Sequence, residues 1–402
     1  MLPDKPSIAI LPFTNLNPDP EQEYFADGIV GDIITGLSRF SELFVIARNS
    51  SFQYKGKAVD VRQIGRELGV RYVVEGSLRR GGDRIRISAQ LIDATTGAHR
   101  WAERYERQLE DVFAVQDEVV RTIVAILAAH VQKLEAERTR ANPPNSWQAY
   151  DCYLQAAESQ TVFSSSYRTE DLYETRRLLQ QSLAVDPTYA RSYALLSRTH
   201  AAAWLTPLDS DYLNPAALDL AHRLALKAVR LDPNLPEARA ALGFVLVWMG
   251  QHEASLAEIE RTFALNPNYV VWRLGLALVV AGQSQRALDV LEASMRLDPF
   301  YSPAASNALG LAHYMRKQYE DAVTVLRDCV ARAPNLRAGH SWLAATYARL
   351  GRMEEARGEV AEVLRIQPGY SIAATTRRVM GFKFAEDAEH FFDGLRKAGL
   401  PE

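Results

Sequence analysis

Cysteine is scarce in this chain. Cys152 and Cys329 are the two cysteines among 402 residues, which excludes a disulfide framework. The eight histidines contain no pair at His-x-x-x-His spacing, and the cysteines are far from Cys-x-x-Cys spacing. The sequence therefore predicts neither a metal site nor a metal cofactor.

Long apolar runs and an excess of one charge are missing as well. No apolar run approaches the roughly 18 residues that a membrane span needs, and the apolar start at residues 1–13 is too short for a signal peptide. The net charge is −3, so the chain has no overall attraction to nucleic acid or anionic lipid. We expect a cytoplasmic protein without a membrane partner, and nucleic acid is not the partner we expect.

Catalytic motifs are also absent from the sequence. There is no glycine-rich phosphate loop of Walker or Rossmann type, because Gly81 and Gly82 stand in a predicted hairpin and not before a helix. No serine, histidine and aspartate set has supporting context. The sequence thus predicts no cofactor and no enzymatic activity for this chain.

What the sequence does contain is a repeat. Between positions 185 and 370, six prolines close similar phrases, and the steps between successive ones are 46, 34, 32, 35 and 34 positions. They are Pro187, Pro233, Pro267, Pro299, Pro334 and Pro368. A period of about 34 residues indicates an array of helix–turn–helix units.

Four units share one internal frame. A small residue in the first helix is followed seven positions later by a turn residue, which is Gly250, Gly282, Lys317 or Gly351. The small residue lets two helices approach, a glycine closes the first helix, and proline ends the unit. This frame resembles that of tetratricopeptide repeats over roughly residues 146–370. The resemblance implies about six units, with a degenerate first unit and an insertion near residues 204–215 in the second.

Residues 1–108 follow a different pattern. Apolar strands are predicted at residues 7–13 and 43–47, with an amphipathic helix between them and a second helix that Asp60 caps and Gly69 ends. Three strands joined by hairpin turns follow, and residues 84–93 alternate between apolar and polar side chains. We therefore predict an α/β N-terminal domain followed by an all-α tetratricopeptide superhelix, or solenoid.

Several segments of this domain resemble one bacterial module, the TolB-amino-terminal-like domain, over residues 5–135. They are KPSIAILPF at 5–13, EYFADGI at 23–29, RNSSFQYKGK at 48–57, DVRQIGRELGV at 60–70, YVVEGS at 72–77 and GAHRWAERY at 97–105. In that family the module stands between an effector and a tetratricopeptide array. The effector is a class III adenylate/guanylate cyclase domain or a winged-helix DNA-binding domain. This sequence starts where the effector would end, and no stretch of it has room for a cyclase core.

The predicted boundaries follow from these two resemblances. The α/β domain takes residues 1–108, and a bridging helix with a linker takes 109–145. The repeat array takes residues 146–370, and two C-terminal capping helices take 371–402.

The first helices of the repeats offer a candidate groove for a protein partner. The predicted lining residues are Phe244, Trp272, Leu276, Asn307, Leu311, Tyr314 and Ser341. In one interpretation a peptide or a helix binds there, with Trp272 and Tyr314 as aromatic anchors. In the other, these aromatics pack the superhelix or the neighbouring domain.

Residues 48–86 form a locally basic stretch, with ten lysines and arginines against four acidic residues. A candidate anion patch consists of Arg48, Lys55, Lys57, Arg84 and Arg86, and the stretch 49–51 has side chains that donate to an anion. The alternative is the solvated face of a strand pair and a helix.

The function we expect is a non-catalytic regulatory or scaffold module of bacterial signalling that binds proteins through its repeats. The alternatives are the regulatory part of a cyclase whose catalytic domain is absent from this chain, and a transcription regulator lacking its DNA-binding domain. The sequence does not give the identity of the partner, and a homodimer stays open.

Overall fold

The chain folds into an N-terminal sheet unit followed by an array of paired helices. The computed structural model describes residues 6–17, 23–41, 43–108, 111–127, 146–166, 168–269, 271–373 and 381–402. The observed architecture is the predicted one, an α/β unit followed by an all-α solenoid.

Six strands form one mixed sheet. They are β1 (Ser7–Ile10), β2 (Thr14–Asn15), β3 (Phe44–Val45), β4 (Tyr72–Gly81), β5 (Arg84–Asp93) and β6 (Ala98–Gln108). The order is β3-β1-β4-β5-β6, and β2 pairs with β4. β1 is parallel to β3 and β4, whereas β4, β5 and β6 pair antiparallel. All four residues of β1 are buried, as expected for a strand covered on both faces.

Four helices belong to the sheet unit: α1 (Glu23–Ser38), α2 (Arg48–Phe52), α3 (Val61–Leu68) and α4 (Val112–Leu127). α1 and α4 share one apolar core with the sheet, and α3 packs in a second core with β1 and β4. The predicted ends of α3 are confirmed, because the Asp60 side chain accepts from the Arg62 N–H and Gly69 has φ +66°.

Three local features of the sheet unit differ from the sequence prediction. The second apolar strand is reduced to Phe44–Val45, and residues 49–51, the predicted anion donors, lie in the short helix α2. The predicted bridging helix does not stand apart, because Val112, Val115 and Val119 are buried in the same core as α1. The rest of that bridge, from residue 128 to 145, lies outside the described residues.

Six helix pairs follow, numbered here as units 1 to 6. The first and second helices are Trp147–Ser166 with Thr169–Val185, Ala190–Leu205 with Pro215–Leu231, Pro236–Trp248 with His252–Leu265, Trp272–Val280 with Ser284–Leu297, Pro303–Met315 with Tyr319–Arg332, and Arg337–Arg349 with Met353–Ile366. The insertion predicted near residues 204–215 falls at residues 206–214, between the two helices of unit 2. In units 4 and 5 a Cβ on Gly275 or Gly310 would lie 2.4 Å from a leucine of the paired helix, so a small residue is required there.

A single C-terminal helix, Ala385–Ala398, is the last element described. It lies within residues 371–402, where two capping helices are predicted. Residues 374–380 of that stretch lie outside the described residues. The C-terminal helix shares one apolar core with units 2 to 6 through Phe391, Phe392 and Leu395.

Candidate functional site

The C-terminal helix lies against the first helices of units 5 and 6. The surface formed by the first helices of units 4, 5 and 6 is named here the first-helix face. The Phe391 ring stacks on the Trp342 ring, with 3.6 Å between centroids. The Tyr314 hydroxyl donates to the backbone carbonyl of His390 at 3.0 Å. Tyr314 and Trp342 come from consecutive units, so one helix covers both.

Polar contacts hold the C-terminal helix and the residues just before it. The Lys383 N–H donates to the Val280 carbonyl at 2.9 Å, in unit 4. In unit 6, the Arg349 guanidinium pairs with Asp393 at 2.8 Å and also donates to the His390 carbonyl. The chain's own C-terminal segment therefore spans three units of the face.

The approach between helix and face is close at Gly394. A Cβ at this position would lie 2.4 Å from the Tyr314 hydroxyl oxygen and 3.1 Å from the Ala345 Cβ. Real Cβ atoms essentially never come within 3.0 Å of another heavy atom. Any residue other than glycine at 394 therefore requires a shift of the helix or of the Tyr314 side chain.

His390 lies in the centre of this contact. Its ring stands 4.8 Å from the Tyr314 ring, and its Nε2 is 3.3 Å from the Tyr319 hydroxyl. Burial, and then the positive charges of Arg349 and Lys317, lower the pKa of His390 to about 4. The imidazole is therefore neutral at pH 7 while the helix is docked.

The seven predicted groove residues divide into two groups. Phe244, Leu311, Tyr314 and Ser341 are buried, while Trp272, Leu276 and Asn307 are half-buried. Tyr314 contacts the C-terminal helix, as described. Trp272 instead contacts Phe244 edge-on at 6.4 Å between centroids and lies beneath the Arg273 guanidinium. The two predicted anchors, Trp272 and Tyr314, therefore contact different parts of the chain.

Sequence reasoning missed two residues that hold the C-terminal helix, Trp342 and Arg349. Trp342 directly follows Ser341, the residue that the predicted groove names in the first helix of unit 6. The sequence signal for this contact is the amphipathic pattern of residues 385–398. That pattern predicts a helix but does not indicate which surface the helix covers.

The five cations of the predicted anion patch do not act as one group. Lys55 pairs with Asp27 at 2.7 Å and with Glu23 at 2.9 Å, and Arg86 pairs with Glu106 at 3.1 Å. Lys57 and Arg84 are exposed. The guanidinium of Arg48 lies over the Phe52 ring at 4.5 Å.

The donors of α2 do meet an anion, and it belongs to the chain itself. The Ser50 hydroxyl and the Asn49 amide donate to the Asp298 carboxylate at 2.5 and 3.1 Å. The Phe300 N–H donates back to the Ser50 hydroxyl at 2.9 Å. Asp298 ends unit 4, so these bonds fasten the sheet unit to the array.

A second set of bonds extends this junction to the end of unit 3. The Asn268 amide donates to the backbone carbonyls of Ser38, Phe40 and Leu43 at 2.8, 3.1 and 3.2 Å. The Asn266 amide donates to the Ser38 hydroxyl at 2.9 Å. The repeat-ending loops of units 3 and 4 thus serve as the docking surface for the sheet unit.

An ion pair completes the junction at units 1 and 2. Asp32 of α1 pairs with Arg191 of unit 2 at 2.7 Å, and the Tyr150 hydroxyl of unit 1 donates to the same carboxylate. Both side chains of the ion pair are mostly buried. The pair is therefore screened little by solvent, and removing one partner would leave a poorly solvated charge.

Two classes of site do not occur in the part of the chain that the structure describes. No group of three or more histidine, cysteine, aspartate and glutamate side chains there could hold a metal ion. No helix among the same residues has both the length and the apolar character needed to cross a bilayer.

Two family models match this chain, each over less than half of it. Residues 4–122 match the second domain of HilA/YgeH-like transcriptional regulators. Residues 272–337 and 307–371 match the tetratricopeptide repeat, which confirms the predicted repeat type for units 4 to 6. The TolB-amino-terminal-like assignment of the sheet unit stays a prediction.

A similar protein is named "Putative adenylate cyclase 3", from Rhizobium meliloti (strain 1021). The two chains are 48% identical over 248 residues, which is 62% of this chain and 41% of the relative. This chain therefore spans about two fifths of the length of that relative.

Solved structures with a similar arrangement include three helical-repeat proteins. The APC/C hetero-tetramer Cut9–Hcn1 is 17% identical with a TM-score of 0.46, over 63% of this chain and 43% of that chain. The tetratricopeptide protein TTC0263 of Thermus thermophilus is 21% identical with a TM-score of 0.37, over 47% and 96%. The pilus biogenesis factor PilW is 16% identical with a TM-score of 0.41, over 57% and 98%. Because these scores lie below 0.5, they add nothing to the helix pairs observed directly.

Proposed function

We propose that this chain is a non-catalytic regulatory module that binds a protein partner on its first-helix face. The observation that carries the proposal is the occupancy of that face by an amphipathic helix of the chain itself. A surface that buries one helix has the shape and chemistry to bind another of the same pattern. The C-terminal helix then acts as a tethered competitor that a partner must displace.

The docked helix defines the chemistry of the partner. Phe391 fills the space over Trp342, Gly394 allows close approach to Tyr314, and Asp393 meets the charge of Arg349. We expect a partner helix with an aromatic residue, an acidic residue two positions later and a small residue after that. Aromatic anchors in such a site commonly contribute about 2 kcal/mol or more to binding.

The relatives support a role in signalling. Part of the chain matches a domain of transcriptional regulators, and part is similar to a protein named as a putative adenylate cyclase. Both observations favour a module that controls an effector, either a DNA-binding domain or a cyclase domain. The second candidate function is therefore the regulatory part of a cyclase, for which the 48% identity is the favouring observation. We propose a cytoplasmic location.

The experiment is a selection of helical peptides from a random library on the full chain carrying Gly394→Leu. A Cβ at 394 already lies 2.4 Å from the Tyr314 hydroxyl and 3.1 Å from the Ala345 Cβ, so we expect the larger leucine side chain to displace the C-terminal helix, and the substitution changes no residue of the face. We expect enriched peptides with the aromatic–x–acidic–small pattern. They should lose at least tenfold in affinity when Tyr314→Ala or Trp342→Ala is added, and Trp272→Ala tests the other predicted anchor.

Two controls accompany the selection. Gly358→Leu makes the same substitution at a helical glycine where a Cβ meets nothing within 4 Å, and it should select as the native chain does. Arg84→Ala combined with Arg86→Ala should leave the affinities unchanged. Peptides that bind equally to the tyrosine and tryptophan variants but not to the arginine variant would place the binding surface on the sheet unit and refute the proposal.

A further inference from the structure

A cleft of about 280 Å³ lies at the junction between the sheet unit and the array. One wall is the helix α1 with the start of α2, and the other comes from units 1 and 2 and the repeat-ending loops. Apolar side chains line much of it: Ile34, Val45, Leu154, Val271 and Leu297. A cleft of this size between two structural units is a common location for a small-molecule site.

A buried carboxylate oxygen in this cleft has no hydrogen-bond partner among the described residues. Asp27 is 3% exposed, and its Oδ2 accepts from the Lys55 ammonium at 2.7 Å. Its Oδ1 is buried and unpaired. Burial raises the pKa of Asp27, and Lys55 and Arg48 offset part of this shift. An unmet acceptor of this kind costs free energy unless a donor reaches it.

A guanidinium faces the same cleft. Arg48 has a buried Nε without a partner in the described chain, and no carboxylate lies within ion-pair distance of it there. A Cβ on Gly31 would meet the Cδ of Arg48 at 3.5 Å, an ordinary van der Waals contact, so the arginine stem lies against α1. The other charged residues of the cleft, Asp32 and Arg191, form an ion pair at 2.7 Å, although the Arg191 Nε is also without a partner in the described chain.

We propose that this cleft binds a free amino acid with an apolar side chain, whose ammonium group donates to Asp27 and whose carboxylate accepts from Arg48. The two charged residues have opposite signs, both line one cleft, and each has a buried polar atom without a partner in the described chain. The apolar wall takes the side chain, whose burial contributes roughly 25 cal/mol per Å². Charge-assisted hydrogen bonds of this type are about twice as strong as neutral ones.

The position of the cleft makes the ligand a link between the two units. Its walls come from both, so a bound amino acid stabilises the docked arrangement of sheet unit and array. The stretches 23–29 and 48–57, on which the TolB-like resemblance partly rests, supply Asp27 and Arg48. This site is independent of the first-helix face, and its test can fail while the proposed function stands.

The test is calorimetric titration of the full chain with the twenty amino acids, followed by two analogues of the tightest ligand. We expect saturable binding of apolar amino acids. The N-acetyl analogue, which lacks the ammonium, and the amide analogue, which lacks the carboxylate, should each bind at least tenfold more weakly. Asp27→Asn should abolish the discrimination against the N-acetyl form, and Arg48→Gln the discrimination against the amide form.

Matched controls keep the outcome clear. Lys57→Gln removes an exposed cation from the same stretch and should leave the affinity unchanged. Arg48 is half-buried, so Arg48→Gln remains usable if the buried Asp27→Asn fails to fold. The proposal is overturned if no apolar amino acid binds the native chain at millimolar concentration, or if both analogues bind as tightly as the parent compound.

Discussion

The first-helix face and the junction cleft treat their polar groups in opposite ways. On the first-helix face the C-terminal helix covers the aromatics, and Arg349 and Tyr314 both find acceptors on that helix. In the cleft, Asp27 and Arg48 each keep a buried polar atom without a partner in the described chain. The face is thus satisfied by the chain itself, whereas the cleft is left for a molecule from outside.

Occupancy of the first-helix face depends on how firmly the C-terminal helix is held. Phe391→Ala removes a ring that is 2% exposed and stacked on Trp342. Losing such a core side chain costs about 3 kcal/mol, so we expect the docked helix to open on the order of a hundred times more often. Hydrogen exchange of residues 385–398 measures this opening.

The residue just before the same helix provides the control for Phe391→Ala. Phe384, directly before its first residue, is 43% exposed, and Phe384→Ala should change the exchange of residues 385–398 much less. Equal effects of the two substitutions would show that stacking on Trp342 does not hold the helix.

The junction is tested next by Asn268→Ala. The Asn268 amide donates to three backbone carbonyls of the sheet unit, so its loss should cost about 2 kcal/mol in unfolding free energy. The matched control is Asn234→Ala, because Asn234 holds the corresponding position one unit earlier and is exposed. Denaturant unfolding of both variants gives the two values, and a loss as large at 234 as at 268 contradicts the docking role.

Sequence reasoning succeeded where the relevant contacts are local. The repeat period, the left-handed turns at Gly250, Gly282 and Gly351, and the cap at Asp60 all depend on neighbouring residues, and all were predicted. The junction and the docked helix could not be predicted. Asn49 and Asp298, for example, are 249 positions apart, and no periodicity reports which distant surface a helix or a loop will meet.

One residue of the junction, Asn266, departs from the repeat pattern in the sequence, but the pattern does not show why. The repeat-ending phrase has aspartate before proline at 186, 232 and 298 but asparagine at 266. Asn266 keeps the usual turn, since its side chain accepts from the Asn268 N–H at 3.0 Å. Its amide also donates to Ser38, which an aspartate cannot do.

Acid should weaken the docking of the C-terminal helix on the first-helix face, whereas at neutral pH the helix stays docked. The docked pKa of His390 is about 4, below the ordinary value of about 6.5. Protonation therefore favours the released helix as the pH falls below 6.5, and the effect is complete near pH 4. The charged and titratable groups that face the ring are Tyr314, Lys317, Tyr319, Arg349 and Asp393.

At pH 5.5 we expect roughly tenfold more opening of the C-terminal helix than at pH 7.5. Hydrogen exchange of residues 385–398 at the two pH values, corrected for intrinsic exchange, gives the ratio. His390→Gln cannot be protonated and should remove most of it. A ratio unchanged by His390→Gln would mean that another group titrates.

The smallest expected effect is a gain in stability at a turn. Lys317 has φ +60° where Gly250, Gly282 and Gly351 hold the same position of their units. A left-handed conformation strains a residue that has a Cβ, so Lys317→Gly should raise the unfolding free energy by about 0.5–1 kcal/mol. Lys317→Ala keeps the Cβ and should not raise it, which denaturant unfolding distinguishes.

The most direct test of the central claim compares the tethered helix with the same helix supplied in solution. A fluorescent peptide of residues 381–402 is titrated into the native chain, Gly394→Leu and Gly358→Leu. A tethered segment competes at an effective concentration on the order of millimolar, so the peptide should bind the native chain and Gly358→Leu poorly. It should bind Gly394→Leu at least tenfold more tightly. Equal affinity for all three chains would contradict the claim that the C-terminal helix occupies the binding face.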